Sequence, residues 1–143
     1  MKQMIEKVLE EYGSGLFQTV GDSMEPLLHN RKSSVMIEKI NGPLKKNDVV
    51  LYRRPSKKYV LHRVIKVLDG AYLIRGDNRI WKERVPQEWV IGVMTGYYAD
   101  ERNIYISCKD ICYLKYLKTL KVRYCGLRLQ DFVKKLLKKF LLF

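Results

Sequence analysis

No stretch of this 143-residue chain is apolar enough to cross a bilayer, which takes roughly 20 consecutive, mostly apolar residues. The opening segment, Met1 to Tyr12, alternates charge with apolar side chains and lacks the apolar run of a secretory signal. Cysteine is scarce. Cys108, Cys112 and Cys125 are an odd number placed late in the chain, which excludes a small disulfide scaffold and favours a reduced, cytosolic setting. Cys108 and Cys112 have the four-residue spacing of one helix face, yet no second pair or nearby histidine completes a zinc site, so neither metal nor cofactor is expected. Internal repeats and low-complexity runs are absent, which excludes solenoids and linkers. Acidic residues are the minority, 15 Asp plus Glu against 28 Lys plus Arg. That excess is uneven: residues 109–143 carry ten basic and two acidic side chains, +8 of the total +13. A skew of this kind suggests an anionic partner for the C-terminal segment.

What is present reads as helix, β-domain and helical tail. Met4, Ile5, Val8, Leu9 and Tyr12 recur at helical spacing, and Gly13-Ser14-Gly15 ends that helix. Strands are predicted over 16–20, 34–40, 48–53, 59–67, 71–75, 89–98 and 103–108, rich in Val, Ile and Tyr and separated by turn residues. Asp69-Gly70 is the strongest hairpin signal among them. The expected fold is mainly β, a β-rich α+β domain built on a compact coiled sheet or partly closed barrel. From about Asp110 the period becomes helical, and Gly126 is expected to separate a helix over 111–122 from a second one. The domain reading is 1–108 with its N-terminal helix, then a basic helical tail over 109–143.

Three local patterns carry chemistry. Gly21-Asp22-Ser23-Met24-Glu25-Pro26 follows a predicted strand, and Gly21, Asp22, Met24 and Pro26 shape a sharp turn that exposes Ser23 and aims backbone N–H groups at one point. A serine hydroxyl needs a base to act as a nucleophile. The plain alternative is a helix cap. His62 lies mid-strand, on one face with Val60 and Val64, either as a satisfied core histidine or as that base. Asp77, in Gly76-Asp77-Asn78, either makes an Asx turn or accepts a hydrogen bond from the second nitrogen of His62.

In this order, the series resembles the S24/S26 serine peptidase superfamily, that of signal peptidase I and the self-cleaving repressors. The matching residues are Gly21, Ser23, Met24 and Pro26, the segment Leu44-Lys45-Lys46-Asn47-Asp48-Val49-Val50, the strand His62-Arg63-Val64-Ile65 and Gly76-Asp77-Asn78. Together they span about half the chain. The likeness implies the sheet of that peptidase type and a Ser-His mechanism, with Ser23 as nucleophile, His62 as base and Asp77 matching an acidic residue of those enzymes. It also implies small side chains beside the cut. The chain departs from the pattern in lacking a membrane-spanning anchor, in carrying Arg31-Lys32 where a second Gly-Asp turn is expected, and in Arg79-Ile80-Trp81-Lys82 after Asn78. Twelve residues ahead of the domain cannot supply a helix-turn-helix, so a repressor is not expected.

The tail bears a stripe of Leu129, Phe132, Val133, Leu136, Leu137, Phe140 and Leu141, with Lys134, Lys135, Lys138 and Lys139 on the other side. Such a helix either lies in an anionic bilayer surface, aided by the ending Phe140-Leu141-Leu142-Phe143, or packs on the β-domain with a solvated basic face. No specific nucleic-acid module is recognisable. The combined expectation is a cytoplasmic serine endopeptidase, peripheral at a membrane, that processes a peptide or protein precursor. The rival is a catalytically inactive module of the same fold that docks to a membrane or partner through its tail.

Overall fold

The computed structural model describes residues 4–141, so Met1 to Gln3 and the Leu142-Phe143 ending lie outside the described residues. Helix α1 (Met4–Tyr12) buries Leu9 and lays Ile5 on the core. It ends where predicted: Gly13 takes φ +77° and returns its N–H to Leu9 O at 3.0 Å, a left-handed exit that costs glycine no Cβ clash. Eight strands follow: β1 (Ser14–Gln18), β2 (Ser34–Glu38), β3 (Val49–Arg53), β4 (Tyr59–Leu68), β5 (Ala71–Arg75), β6 (Glu83–Pro86), β7 (Val90–Tyr98) and β8 (Tyr105–Ser107). A single turn of 3₁₀ helix, Gln87–Trp89, joins β6 to β7.

The strands form one antiparallel sheet in the order β1-β2-β7-β3-β4-β5-β6, with β8 added to β7. The sheet is open, with β1 and β6 at its ends. Leu68 pairs with Ala71, which makes Asp69-Gly70 the two-residue turn of the predicted hairpin, with Gly70 at φ +69°. Strand β6 has no counterpart among the predicted strands. Its sequence, Glu-Arg-Val-Pro, lacks a strand-like composition, and Pro86 is tolerated because β6 is an edge.

Both faces of β3 are buried, dividing the interior into two apolar clusters. Val49 and Leu51 join Leu9, Met24, Leu27, Leu28, Val35 and Ile37 on one side. Val50 and Tyr52 join Val60, Val64, Ile74 and Val85 on the other. Such two-sided burial is why β3 reads as a continuous apolar run rather than an alternating one.

Helix α2 (Ile111–Leu141) corrects the expectation of two tail helices, since it runs 31 residues without a break at Gly126. An interior glycine costs a helix only about 1 kcal/mol relative to alanine, and no proline or capping residue adds to it here. The first half of α2 belongs to the domain: Tyr113 and Leu120 are buried, and Tyr113, Tyr116 and Leu117 pack on the first cluster. The second half leaves Leu129, Phe132, Val133, Leu136, Leu137, Phe140 and Leu141 exposed, so the stripe is not core packing.

Candidate active site

The chain leaves β1 into a loop that turns sharply at residues 21–28. Gly21 takes φ +95°, a conformation few L-residues adopt, and its N–H donates to Asn30 Oδ1 at 2.8 Å. An added Cβ at Gly21 would meet nothing, so its conformation rather than its size calls for glycine. Glu25 N–H donates to Asp22 O at 3.1 Å, and Leu28 N–H to Met24 O at 3.0 Å. Met24, Leu27 and Leu28 are buried and anchor the turn in the core, while Pro26, after a cis peptide, stays exposed. This anchoring leaves Ser23 half-buried at the surface of the turn. Among the described residues, no acceptor takes the N–H of Ser23 or Met24, which leaves both donors unspent beside the Ser23 hydroxyl.

His62 reaches this turn from the middle of β4. Its Nε2 lies 3.0 Å from Ser23 Oγ, across 39 residues of sequence. The ring is nearly buried, with Trp81 against it edge-on at 5.8 Å between ring centroids. Burial pushes its pKa down to about 4; Arg54 and Arg79 act in the same sense, against the weaker opposing pull of Glu83 and Asp77. The ring is therefore neutral at pH 7, as a general base must be. Gly76 matters by closeness: a Cβ there would stand 2.6 Å from Ser23 O and 3.2 Å from His62 Nε2. Only glycine lets the 76–79 turn close on both residues.

Asp77 does not occupy the place expected of it. Its two carboxylate oxygens accept from Arg63 Nε and Nη2, each at 2.7 Å, and both side chains are fully buried. Tyr116 Oη adds a bond at 2.9 Å. Strand alternation explains the correction. Arg63 follows His62 and faces the opposite side of β4, so the turn after β5 delivers Asp77 to Arg63 instead. The hydrogen bond to the second nitrogen of His62 is made by another residue: Nδ1 faces Tyr52 Oη at 3.4 Å, and Tyr52 donates to Glu83 Oε2 at 2.7 Å. Arg54 holds the same carboxylate at 3.0 and 2.7 Å.

Helix α2 also reaches the site. Arg123 donates to Asp77 O and to Asn78 Oδ1, while Asn78 N–H donates to Ser23 O at 2.8 Å and Asn78 Nδ2 to Asp22 O. Asp22 is further tied to Arg79 at 2.6 Å, which holds its carboxyl below the usual range. None of Tyr52, Glu83, Arg54 or Arg123 was legible as functional. Glu83 and Arg54 are ordinary surface types in sequence, and Tyr52 reads as one aromatic of a buried strand.

Ser23 and His62 open onto a cleft of about 370 Å³. Ile5 of α1, Phe17 of β1 and Leu61 of β4 supply apolar wall, and Arg54, Lys58 and Arg79 supply basic groups. The membrane-binding candidates Phe132, Lys134, Lys135, Lys138, Lys139 and Phe140 all lie exposed on the far half of α2, apart from this cleft. Among the described residues, no helix is long and apolar enough to span a membrane. No protein-family model matches the chain, and no curated protein matches it.

Proposed function

We propose that this protein is a serine endopeptidase of the Ser-His type that processes a peptide or protein precursor. One observation carries the reading: the 3.0 Å approach of His62 Nε2 to Ser23 Oγ at the wall of a cleft. Ser23 Oγ attacks the scissile carbonyl carbon while its proton passes to His62 Nε2. The N–H groups of Ser23 and Met24 receive the oxyanion. Collapse of the tetrahedral species breaks the C–N bond, and the proton on Nε2 goes to the leaving amine. Water then attacks the acyl ester, giving one proton to His62, which returns it to Ser23 Oγ. A ring depressed to about 4 is a weak base in the empty site. The oxyanion forming beside it favours the imidazolium, so its proton affinity rises where the reaction needs it.

The same reading places the enzyme at an anionic membrane surface through α2. At 100° per residue, Tyr113, Leu117, Leu120, Tyr124 and Leu127 share one line of the helix, and the exposed stripe is centred about half a turn away from it. Lys134, Lys135, Lys138 and Lys139 fall nearer the line that docks on the domain. A helix so arranged turns its apolar side to the acyl boundary and its lysines, with the domain, to the headgroups and water.

Incubating the Ser23→Ala variant with extracts containing the native precursor tests the peptidase reading. The variant should retain an intact precursor, identifiable by mass, that the wild-type protein cuts at one bond. Equal cutting by the variant refutes it.

A further inference from the structure

A serine peptidase of this kind needs more than a histidine near its nucleophile. The imidazole must keep its hydrogen on Nδ1, so that Nε2 is bare toward the serine, and it must hold that angle while it becomes charged. Asp77 cannot supply this, because Arg63 takes both of its oxygens.

The strands supply it from the other direction. Val50 pairs with His62 across β3 and β4, and Tyr52 lies diagonally on the same sheet face. Tyr52 is fully buried, and its phenol stays protonated because burial and the Glu83 carboxylate both raise its pKa. Its hydrogen goes to Glu83 Oε2 at 2.7 Å, so the lone pairs of Oη are what face His62 Nδ1 at 3.4 Å. A group that offers only lone pairs selects the Nδ1–H form of the ring. Glu83 is fixed in turn by Arg54, whose Nε and Nη2 hold both carboxylate oxygens. Burial opposes ionisation of Glu83, but its bonds from Arg54 and Tyr52 outweigh that and keep it below the usual carboxylate range.

We infer that Glu83, acting through Tyr52, is the positioning residue that fixes the tautomer and angle of His62, in the place an acidic group bonded directly to the ring would fill. The inference rests on the Ser-His reading above. Neither residue touches the reacting atoms. Arg54 opposes the charge of Glu83 as felt at His62, so the network acts through geometry more than through field. The 3.4 Å separation leaves room for the bond to tighten once a substrate is bound.

The test reads the ring itself. The chain has two histidines, His29 and His62, so imidazole ¹⁵N spectra of the full-length protein near pH 7 can be assigned with a His29→Gln variant. Wild-type His62 should show a protonated Nδ1 and a bare Nε2. In Tyr52→Phe, which keeps the ring but loses the acceptor, the Nδ1–H form should lose its dominance. Turnover on a peptide substrate should fall by about 10- to 100-fold with KM little changed, short of the ~10⁴-fold loss seen when a directly bonded orienting carboxylate is replaced. Glu83→Ala should act in the same direction, and Glu83→Gln, which keeps an acceptor for the phenol, should restore part of the loss. Glu83 is partly exposed, so its variants serve even where Tyr52→Phe fails to fold. Protonated Nε2 in the wild type, or an unchanged Nδ1–H signature in either folded variant, overturns the inference. The spectra do not depend on activity. They therefore separate this failure from failure of the peptidase reading, which would show as full activity in Ser23→Ala.

Discussion

His62 carries the pH behaviour of the site. Burial and the neighbouring Arg54 and Arg79 hold the ring near 4, against Glu83 and Asp77, so the acid limb of kcat/KM should lie well below the ordinary histidine value of about 6.5. A profile whose only activating limb lies in the lysine range would place the base elsewhere. The sign for stability follows from the same depression. Between about 6.5 and 4 the unfolded chain binds the proton that the folded chain refuses, so stability falls as pH drops through that window. Substituting His62 by Gln should flatten this part of the stability curve in denaturant titrations. Asp77 predicts a different outcome. Its carboxylate balances a fully buried Arg63, and Asp77→Asn should cost about 3–5 kcal/mol by leaving that cation unpaired. The loss appears in melting, and any fall in activity should follow the folded fraction; a stable variant with lost turnover would contradict this. Ser23 and His62 were legible as a pair because a strand-to-turn hexapeptide, a polar ring between valines and a Gly-Asp-Asn turn follow one another in order; alone, the first reads equally as a cap and the second as a core histidine. The partners were not. Arg63 and Asp77, or Tyr52 and Glu83, meet only through the β3-β4-β5-β6 order, which no local pattern encodes.

Helix α2 has two unlike halves along one length. Up to Tyr124 its side chains cover the Arg63–Asp77 pair: Tyr113 accepts from Arg63, Tyr116 donates to Asp77, and the Tyr124 ring lies 3.4 Å from the Arg75 guanidinium. Beyond Leu127 the apolar residues among those described, Leu129 to Leu141, stand exposed. Truncation after Gly126 should therefore leave a folded, active peptidase that no longer sediments with anionic vesicles, while raised salt should weaken vesicle binding of the full chain. Truncation before Ile111 should unfold the domain or greatly lower its stability. Equal vesicle binding by the shorter chain would remove the membrane role, and unfolding after the Gly126 cut would return the stripe to packing. The helical period and the stripe were plain in sequence, but the continuity of α2 was not. A lone glycine marks a weak point in a helix without setting whether the flanking residues bridge it.

On the scale of the whole molecule, the chain sets the Ser23–His62 pair and the basic helix α2 on one small β-rich domain. The cleft is walled by α1, β1 and β4, the Ser23 turn is tied to α2 through Asn78 and Arg123, and +8 of the +13 net charge lies in residues 109–143. The Ser23–His62 pair is the center of the account, and a mechanism-based acylating probe tests it most directly. A fluorophosphonate, mapped by peptide mass after incubation with the full-length protein, should modify Ser23 alone. Labelling should be lost in Ser23→Ala and strongly reduced in a folded His62→Ala variant. Folded wild-type protein that takes no label at Ser23, or that labels equally well without His62, would contradict the account.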